Sequence, residues 1–573
     1  YNRHVWLDGG WERFLQFFFR QVFPEPHSTK ATEDTVRWAR RADPAAMVRV
    51  VEGGLLDTPA DLEEDCRRLR CPVVVLEGTE DGVRPWAAGE RLAEWTGGSL
   101  VVVEGGGHAP HLRDPVQVNH LIQEMLMTTA ATPPAAGGTA ARAAEGNGQG
   151  AGRQTRAATR RTWVRAQRRP RRVLYLSSPI GLGHARRDLA VARELRTHHP
   201  DLEVDWLAQH PVTRVLQDAG ERVHPASAWL ANESAHIEDE AEDHDLHAFQ
   251  AIRRMDEIMV SNFMVFDEVV AEGCYDLVVG DEAWEVDHFL HENPELKRFS
   301  FAWMTDFVGW LPMPEGDDHD IALTADHNAE MIEQRARYRR IRDRSIFVGN
   351  PEDVVDRPFG PGLPGIREWT EANFDFCGYV TGYVPPTSTE RTRLRARLGY
   401  GPDDRLCVVT VGGSGVGESL LRRVLDAVPA ARRLVPGLRF LVVTGPRIDP
   451  DGLPRRRGVT YRGYLPDLHH HLAASDVAVV QGGLTTCMEL AAAGRPFIYV
   501  PLRHHFEQNV HVRHRLERYG AGRCLDYERA CDPEDLAAAV AEELGRGRDR
   551  GGRVRPVETD GAQRAAAMLA ELL

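Results

Sequence analysis

No run of apolar residues in this 573-residue chain approaches the roughly eighteen that a membrane-crossing helix requires, and no basic-then-apolar leader opens it. A soluble, cytoplasmic protein is the expectation. Cysteine is sparse. The eight present (Cys66, Cys71, Cys274, Cys377, Cys407, Cys487, Cys524 and Cys531) form no CxxC pair, which argues against both a zinc cluster and a disulfide framework. Positive charge is also in deficit: 70 lysines and arginines stand against 85 aspartates and glutamates, so the net charge is −15 and wholesale coating of nucleic acid is not expected. What is present suits folded domains, with 42% hydrophobic and 27% charged residues in a chain too long for one core. About three or four domains are expected.

Residues 128–172, from "TTAATPPAAGG" to "RAQRRPRR", are rich in alanine, glycine and arginine and hold almost no core-forming residues. They read as a disordered basic linker. Ahead of it, in residues 1–127, "WERFLQFFFRQVF" and "EDTVRWARRADP" read as helices, while "CPVVVLEGTEDG" and "GSLVVVEGGGHAP" read as strands that each end in a polar turn. This order resembles the last third of an α/β-hydrolase with helices of its cap, and the resemblance makes Asp81, ahead of Glu80, the acid and His108 the base of a triad. The G-x-S-x-G elbow that would carry the nucleophile is missing: the stretch before residue 71 is too short to hold it together with the early strands, and "VGGSGVG" at 411–417 does not fit the pattern. A base without a nucleophile forms no acyl intermediate. The module therefore reads as a remnant or a truncated domain.

After the linker, apolar strands alternate with helical stretches, the pattern of parallel sheets built from βαβ units. Two halves are predicted, 173–383 and 384–573, each opening on strand, glycine turn and helix, with "GYVTGYVPPTSTE" as the hinge between them. In such sheets ligands gather beyond the carboxyl ends of the strands, where the next helix offers unpaired N–H groups. "DVAVVQGGLTTCMELAAAG" puts Gly482 and Gly483 at that point, adds the hydroxyls of Thr485 and Thr486, and brings about half a positive charge from the helix N-terminus. A phosphate fits there. Glu489, a turn further on, can accept from the vicinal hydroxyls of a ribose, and Glu507 with Gln508, after the next strand, suit the hydroxyls of a sugar.

Together with Gln481, Pro501 and the closing Gly520-Ala521-Gly522, these residues resemble the donor-site signature of nucleotide-sugar glycosyltransferases with two Rossmann-like domains, the GT-B type, and above all the UDP-glycosyltransferases and MurG-like transferases. The resemblance covers roughly residues 171 to 573. It implies an α/β fold class with two Rossmann-like domains, here preceded by the partial α/β-hydrolase module. It places a diphosphate at Gly482 to Thr486, with Gly412, Gly413 and Ser414 also in the donor site. The ribose falls on Glu489, the sugar on Glu507 and Gln508, and "YRGYLPDL" frames the base. Many relatives have histidine where Gln481 stands, so that phosphate contact is neutral here.

"GLGHARRDLAVAREL" resembles the G-x-G-H turn of the same family, in which histidine takes the proton of the acceptor hydroxyl; His184 has that place. Asp281, at the end of "YDLVVGD", is implied as its partner, with Asp306 of "WMTDFVGW" as a rival. The implied reaction is an inverting, metal-independent transfer from a nucleotide sugar, with UDP the expected nucleotide, to a hydroxyl on a small molecule, lipid or glycan. No cofactor and no nucleic acid is implied, and peripheral contact with a membrane is left open.

Three rival readings follow from the same residues: a nucleotide-sugar epimerase, which would need no acceptor; a nucleotide-sugar-binding scaffold without turnover; and an esterase with a transferase-like appendage. "HIEDEAEDHDLHAF", from His236, reads as a solvated acidic helix face rather than a metal site. "DDHD" at Asp317 to Asp320 reads as a loop, and His469 to His471 as a surface helix start.

Overall fold

Short apolar runs, mostly Val, Leu, Ile and Phe, form every long strand of this chain, and the order in which they pair fixes where ligands can sit. The structure is a computed structural model that describes residues 3–53, 59–131, 169–413, 415–546 and 555–573. It divides into two units, Tyr1–Pro170 and Arg171–Leu573.

In the first unit a series of helices, among them Trp11–Val22 and Thr29–Ala39, leads to β1 (Val74–Gly78). After helix Ala87–Thr96 the chain returns as β2 (Ser99–Val103), parallel to β1 in the register Val74↔Ser99 to Gly78↔Val103. Val22, Phe23 and Ala109 form one of its buried apolar clusters, with Phe18 and Phe19 against them. The last helix of the unit, Pro115–Ala131, takes in the first four residues of the predicted linker, and its last residue, Arg172, opens β3; residues 132–168 lie outside the described residues.

The second unit holds two parallel sheets. The first has seven strands: β3 (Arg172–Ser177), β4 (Glu203–Leu207), β5 (Arg222–Val223), β6 (Leu277–Asp281), β7 (Ser300–Thr305), β8 (Arg344–Phe347) and β9 (Asp375–Phe376), in the order β5-β4-β3-β6-β7-β8-β9. The other has six: β10 (Arg405–Thr410), β11 (Leu438–Val443), β12 (Val459–Arg462), β13 (Val477–Val480), β14 (Phe497–Tyr499) and β15 (Arg523–Cys524), in the order β12-β11-β10-β13-β14-β15. Both orders reverse beside their first strand, the arrangement of a doubly wound dinucleotide fold. Helices cover both faces, which is why β6 and β13 are buried at every position.

One core runs through both halves. It joins Tyr175 and Leu195 to Val408, Met488 and Tyr499, and it includes Ala565 and Leu569 of the last helix, Gly561–Ala570, which packs on helix Leu182–His198. The range 384–573 thus ends on the opposite half. The hinge is packed as well: Tyr379 and Val380 are buried, and the Tyr383 hydroxyl donates to the Glu489 carbonyl at 3.1 Å.

One expectation holds in part and another fails. In "HIEDEAEDHDLHAF" His244 is buried with its ring 4.3 Å from that of Tyr527, and just ahead of the stretch Glu233 is buried too, accepting from Gln209 at 2.6 Å and Asn262 at 3.1 Å. Glu238 pairs with Arg447 across the halves. Asp239, Glu242 and Asp243 are exposed, as a solvated face would have them, while Glu240 pairs with Arg254 and Asp245 with His504, pairings that composition alone cannot reveal. Asp317 caps helix Asp318–Arg337 by accepting from His319 and Asp320 N–H groups at 2.9 and 3.0 Å, so "DDHD" starts a helix rather than a loop.

Candidate active site

The central strands of both sheets leave the core on polar residues. β3 ends at Ser177, β6 at Asp281 and β10 at Thr410, while β7 runs into Asp306 and β13 into Gln481. Register Ser177↔Asp281 sets the first two ends side by side. A cleft lies between the two sheets of the larger unit, with His184, Glu282 and Asp306 on one wall and Gly412, Gly413, Gln481 and Gly483 on the other. Thr485, Thr486, Glu489, Glu507 and Gln508 line it too. Ser414 lies outside the described residues.

The donor wall is built from a helix start. Gly482 has φ 113°, a backbone region that side-chain-bearing residues rarely adopt, and Gly483 then begins helix Leu484–Ala492 with no side chain capping it. The first-turn N–H groups are therefore left for a ligand. Gln481 is buried, and its Nε2 donates to the Val416 carbonyl at 3.3 Å, tying this turn to the one after β10. Burial lifts the Glu489 carboxyl to about 7. Glu507 opens a π-helical turn, Glu507–Val512; burial, with the charges of Asp306 and Glu282, lifts its carboxyl to about 8. Gln508 accepts from the Leu502 N–H at 2.9 Å, which fixes its amide.

The acceptor wall is organised around Arg187, a residue the sequence reading passed over. Its guanidinium is buried and bonds Asp281 twice, Nε to Oδ2 at 2.7 Å and Nη2 to Oδ1 at 2.5 Å, and it also pairs with Asp306. His184 and Arg187 are three apart on helix Leu182–His198, hence on one face. His184 Nδ1 lies 3.2 Å from Asp281 Oδ2 and 2.8 Å from Arg187 Nη2, so Asp281 serves the histidine and the arginine together. Its Nε2 lies 3.7 Å from Glu282 Oε2. Burial and Arg187 oppose protonation of His184, but Asp281 and Glu282 outweigh them and hold it up at about 9. Asp281 is held well below the usual carboxylate range: burial works against this, and Arg187 and His184 prevail. Burial and the neighbouring Asp306 push Glu282 up to about 7. Glu282 also has φ 53°, a strained backbone of the kind that collects at working sites.

The walls meet closely. A Cβ added to Gly183 would stand 2.1 Å from Thr485 Oγ1, so only glycine allows the two helix starts this approach. The signals for the missed residues were in the sequence: two arginines one residue after the G-x-G-H turn, and a second acid directly after Asp281.

In the smaller unit His108 Nδ1 lies 2.8 Å from Asp81 Oδ2. The Asp81 carboxylate also accepts from the N–H groups of Val83 and Arg84 at 2.7 and 2.8 Å; burial opposes its ionisation, but these bonds and His108 hold it below its ordinary value. Glu80 is exposed.

Comparison with known proteins agrees with this layout. Residues 406–550 match the family described as "Glycosyltransferase family 28 C-terminal domain", and residues 3–121 match the "Alpha/beta hydrolase family". The UDP-N-acetylglucosamine--N-acetylmuramyl-(pentapeptide) pyrophosphoryl-undecaprenol N-acetylglucosamine transferase of Rubrobacter xylanophilus is 34% identical over 190 residues, 32% of this chain and 53% of that protein. An uncharacterized glycosyltransferase of Methanopyrus kandleri is 29% identical over 198 residues, 35% of this chain and 54% of that protein. The chain thus spans about half the length of these curated relatives. Among solved structures, MurG of Acinetobacter baumannii aligns with a TM-score of 0.39 and 13% identity over 70% of this chain and 100% of that one. The strand orders above, not that alignment, define the fold. Residues 406–550 thus match the glycosyltransferase family 28 C-terminal domains, in a larger unit of the GT-B type, and residues 3–121 match the alpha/beta hydrolase family.

Proposed function

We propose that the larger unit transfers a sugar from a nucleotide donor to a hydroxyl acceptor with inversion at the anomeric carbon and without a metal. The observation that carries this reading is an uncapped, glycine-led helix N-terminus at Gly483 in the same cleft as His184. As the bond from the anomeric carbon to the diphosphate stretches, negative charge grows on the leaving group, and the amides and dipole at Gly482 to Thr486 gain strength with it. The acceptor enters from the other wall. For Nε2 to take the acceptor proton, Nδ1 of His184 must hold its own proton toward Asp281, and Arg187 Nη2, a donor 2.8 Å from Nδ1, must direct its hydrogens to Asp281 Oδ1 instead; Glu282 together with Asp281 then stabilises the imidazolium that forms. Attack opposite the leaving group gives inversion. UDP is the proposed nucleotide because the Rubrobacter relative is named for UDP-N-acetylglucosamine. Arg187 already pairs with both Asp281 and Asp306, which leaves those carboxylates less call for a divalent ion.

The test is a panel of nucleotide sugars and hydroxyl acceptors, with product anomers read by NMR and each reaction repeated in chelator. Inverted product at undiminished rate in chelator is expected. His184→Ala should bind the donor and lose transfer by about a hundred- to ten-thousandfold. Loss of binding with transfer chemistry intact would reject the assignment, and a new epimer formed without acceptor would favour the epimerase.

A further inference from the structure

Among the described residues lining the cleft, Arg186 is the one lysine or arginine. It belongs to the acceptor half, on helix Leu182–His198, yet its bonds are with the donor half. Nη1 lies 3.7 Å from Glu489 Oε1, and Nη2 donates to the carbonyls of Pro466 at 2.8 Å and Leu465 at 3.5 Å. The reading proposed above, on which this inference rests, gives Glu489 to the ribose and the segment around Leu465 to the base. The guanidinium thus donates to the same acceptors that ribose hydroxyls and a base edge would use. A nucleoside that takes them must release Arg186.

The released charge has a destination. Gln481 is neutral, and a helix N-terminus supplies only about half a charge against a diphosphate. Gly183, whose backbone abuts Thr485 at the phosphate corner, precedes Arg186 by three residues, so the corner lies about one helical turn, roughly 5 Å, from the Arg186 backbone. An arginine side chain covers that distance. We propose that Arg186 is a donor-binding residue supplied by the acceptor half: it exchanges Glu489 for the diphosphate of the bound nucleotide, so that the cleft distinguishes a nucleoside diphosphate from a nucleoside by a charge from the opposite wall.

Titration calorimetry on the full chain with UDP and with uridine tests this in the wild type, Arg186→Ala and Arg186→Lys. In the wild type UDP should bind more tightly than uridine. Arg186→Ala should shrink that ratio at least tenfold, by weakening UDP while uridine binding holds or improves, and Arg186→Lys should restore part of it. Should the alanine variant not fold, Arg186→Gln, which keeps hydrogen-bond donors and drops the charge, carries the same expectation. An unchanged ratio, whether or not both ligands weaken together, overturns the role of Arg186 and leaves the nucleotide-sugar reading standing. A wild type that binds none of UDP, TDP and GDP overturns that reading itself.

Discussion

His184 carries a proton more firmly than a free histidine, since Asp281 and Glu282 hold it up at about 9. A base must be neutral to act, so the competent fraction falls about tenfold for each pH unit below that value. The expected kcat/KM rises with pH from about 6.5 and levels off near 9; Glu282→Gln, which removes a negative charge 3.7 Å from Nε2, should move the rise to lower pH. A flat profile over that range would exclude His184 as the base. Arg187 has a different part. It is buried between Asp281 and Asp306, and its removal leaves two carboxylates without their counter-charge. Arg187→Ala should therefore cost about 3–5 kcal/mol in urea unfolding, the range for breaking a buried ion pair from one side. A loss under about 1 kcal/mol would mean that water reaches the carboxylates.

At the scale of elements, the donor corner depends on the turn from β13 into helix Leu484–Ala492. Gly482→Ala has to hold alanine at φ 113° with its Cβ 3.4 Å from Gln508 Oε1 and 3.5 Å from the Pro501 backbone. The added strain is about 1–3 kcal/mol. Relief by rotation of the turn would swing the helix-start amides away from the cleft, so nucleotide affinity should fall at least tenfold by calorimetry while the protein stays folded by circular dichroism. Undiminished affinity would show that the amides are not the anion site. The turn was legible because glycine, hydroxyl and carboxylate positions follow one another along a few residues. The buried cluster was only half legible: His184 and Asp281 stood out at strand ends, but the bonding of Arg187 needs three segments brought together, and "HARR" alone looks like a solvated helix face. His244 was misread for the same reason, since its partner Tyr527 is distant in sequence.

For the whole molecule, the alternation of apolar runs and helical stretches was enough to anticipate two parallel sheets, because a strand covered on both faces must be apolar throughout. It could not show that the last helix returns to helix Leu182–His198 and that one core joins both halves. That joining has a thermodynamic consequence. Residues placed at the donor site span Gly412 to Gln508, and the core beneath them runs from Val173 to Leu569, so a ligand bound there stabilises the entire larger unit rather than its second half. At a hundred times its dissociation constant UDP should add about 2.7 kcal/mol to that unit. In scanning calorimetry the larger unit should melt in one transition that shifts upward as a whole with UDP, with no separate transition left behind for the acceptor half. A wild-type trace in which UDP moves only part of the larger unit's transition would show that the halves unfold independently, and that closure of the cleft depends on the bound donor more than on the shared core.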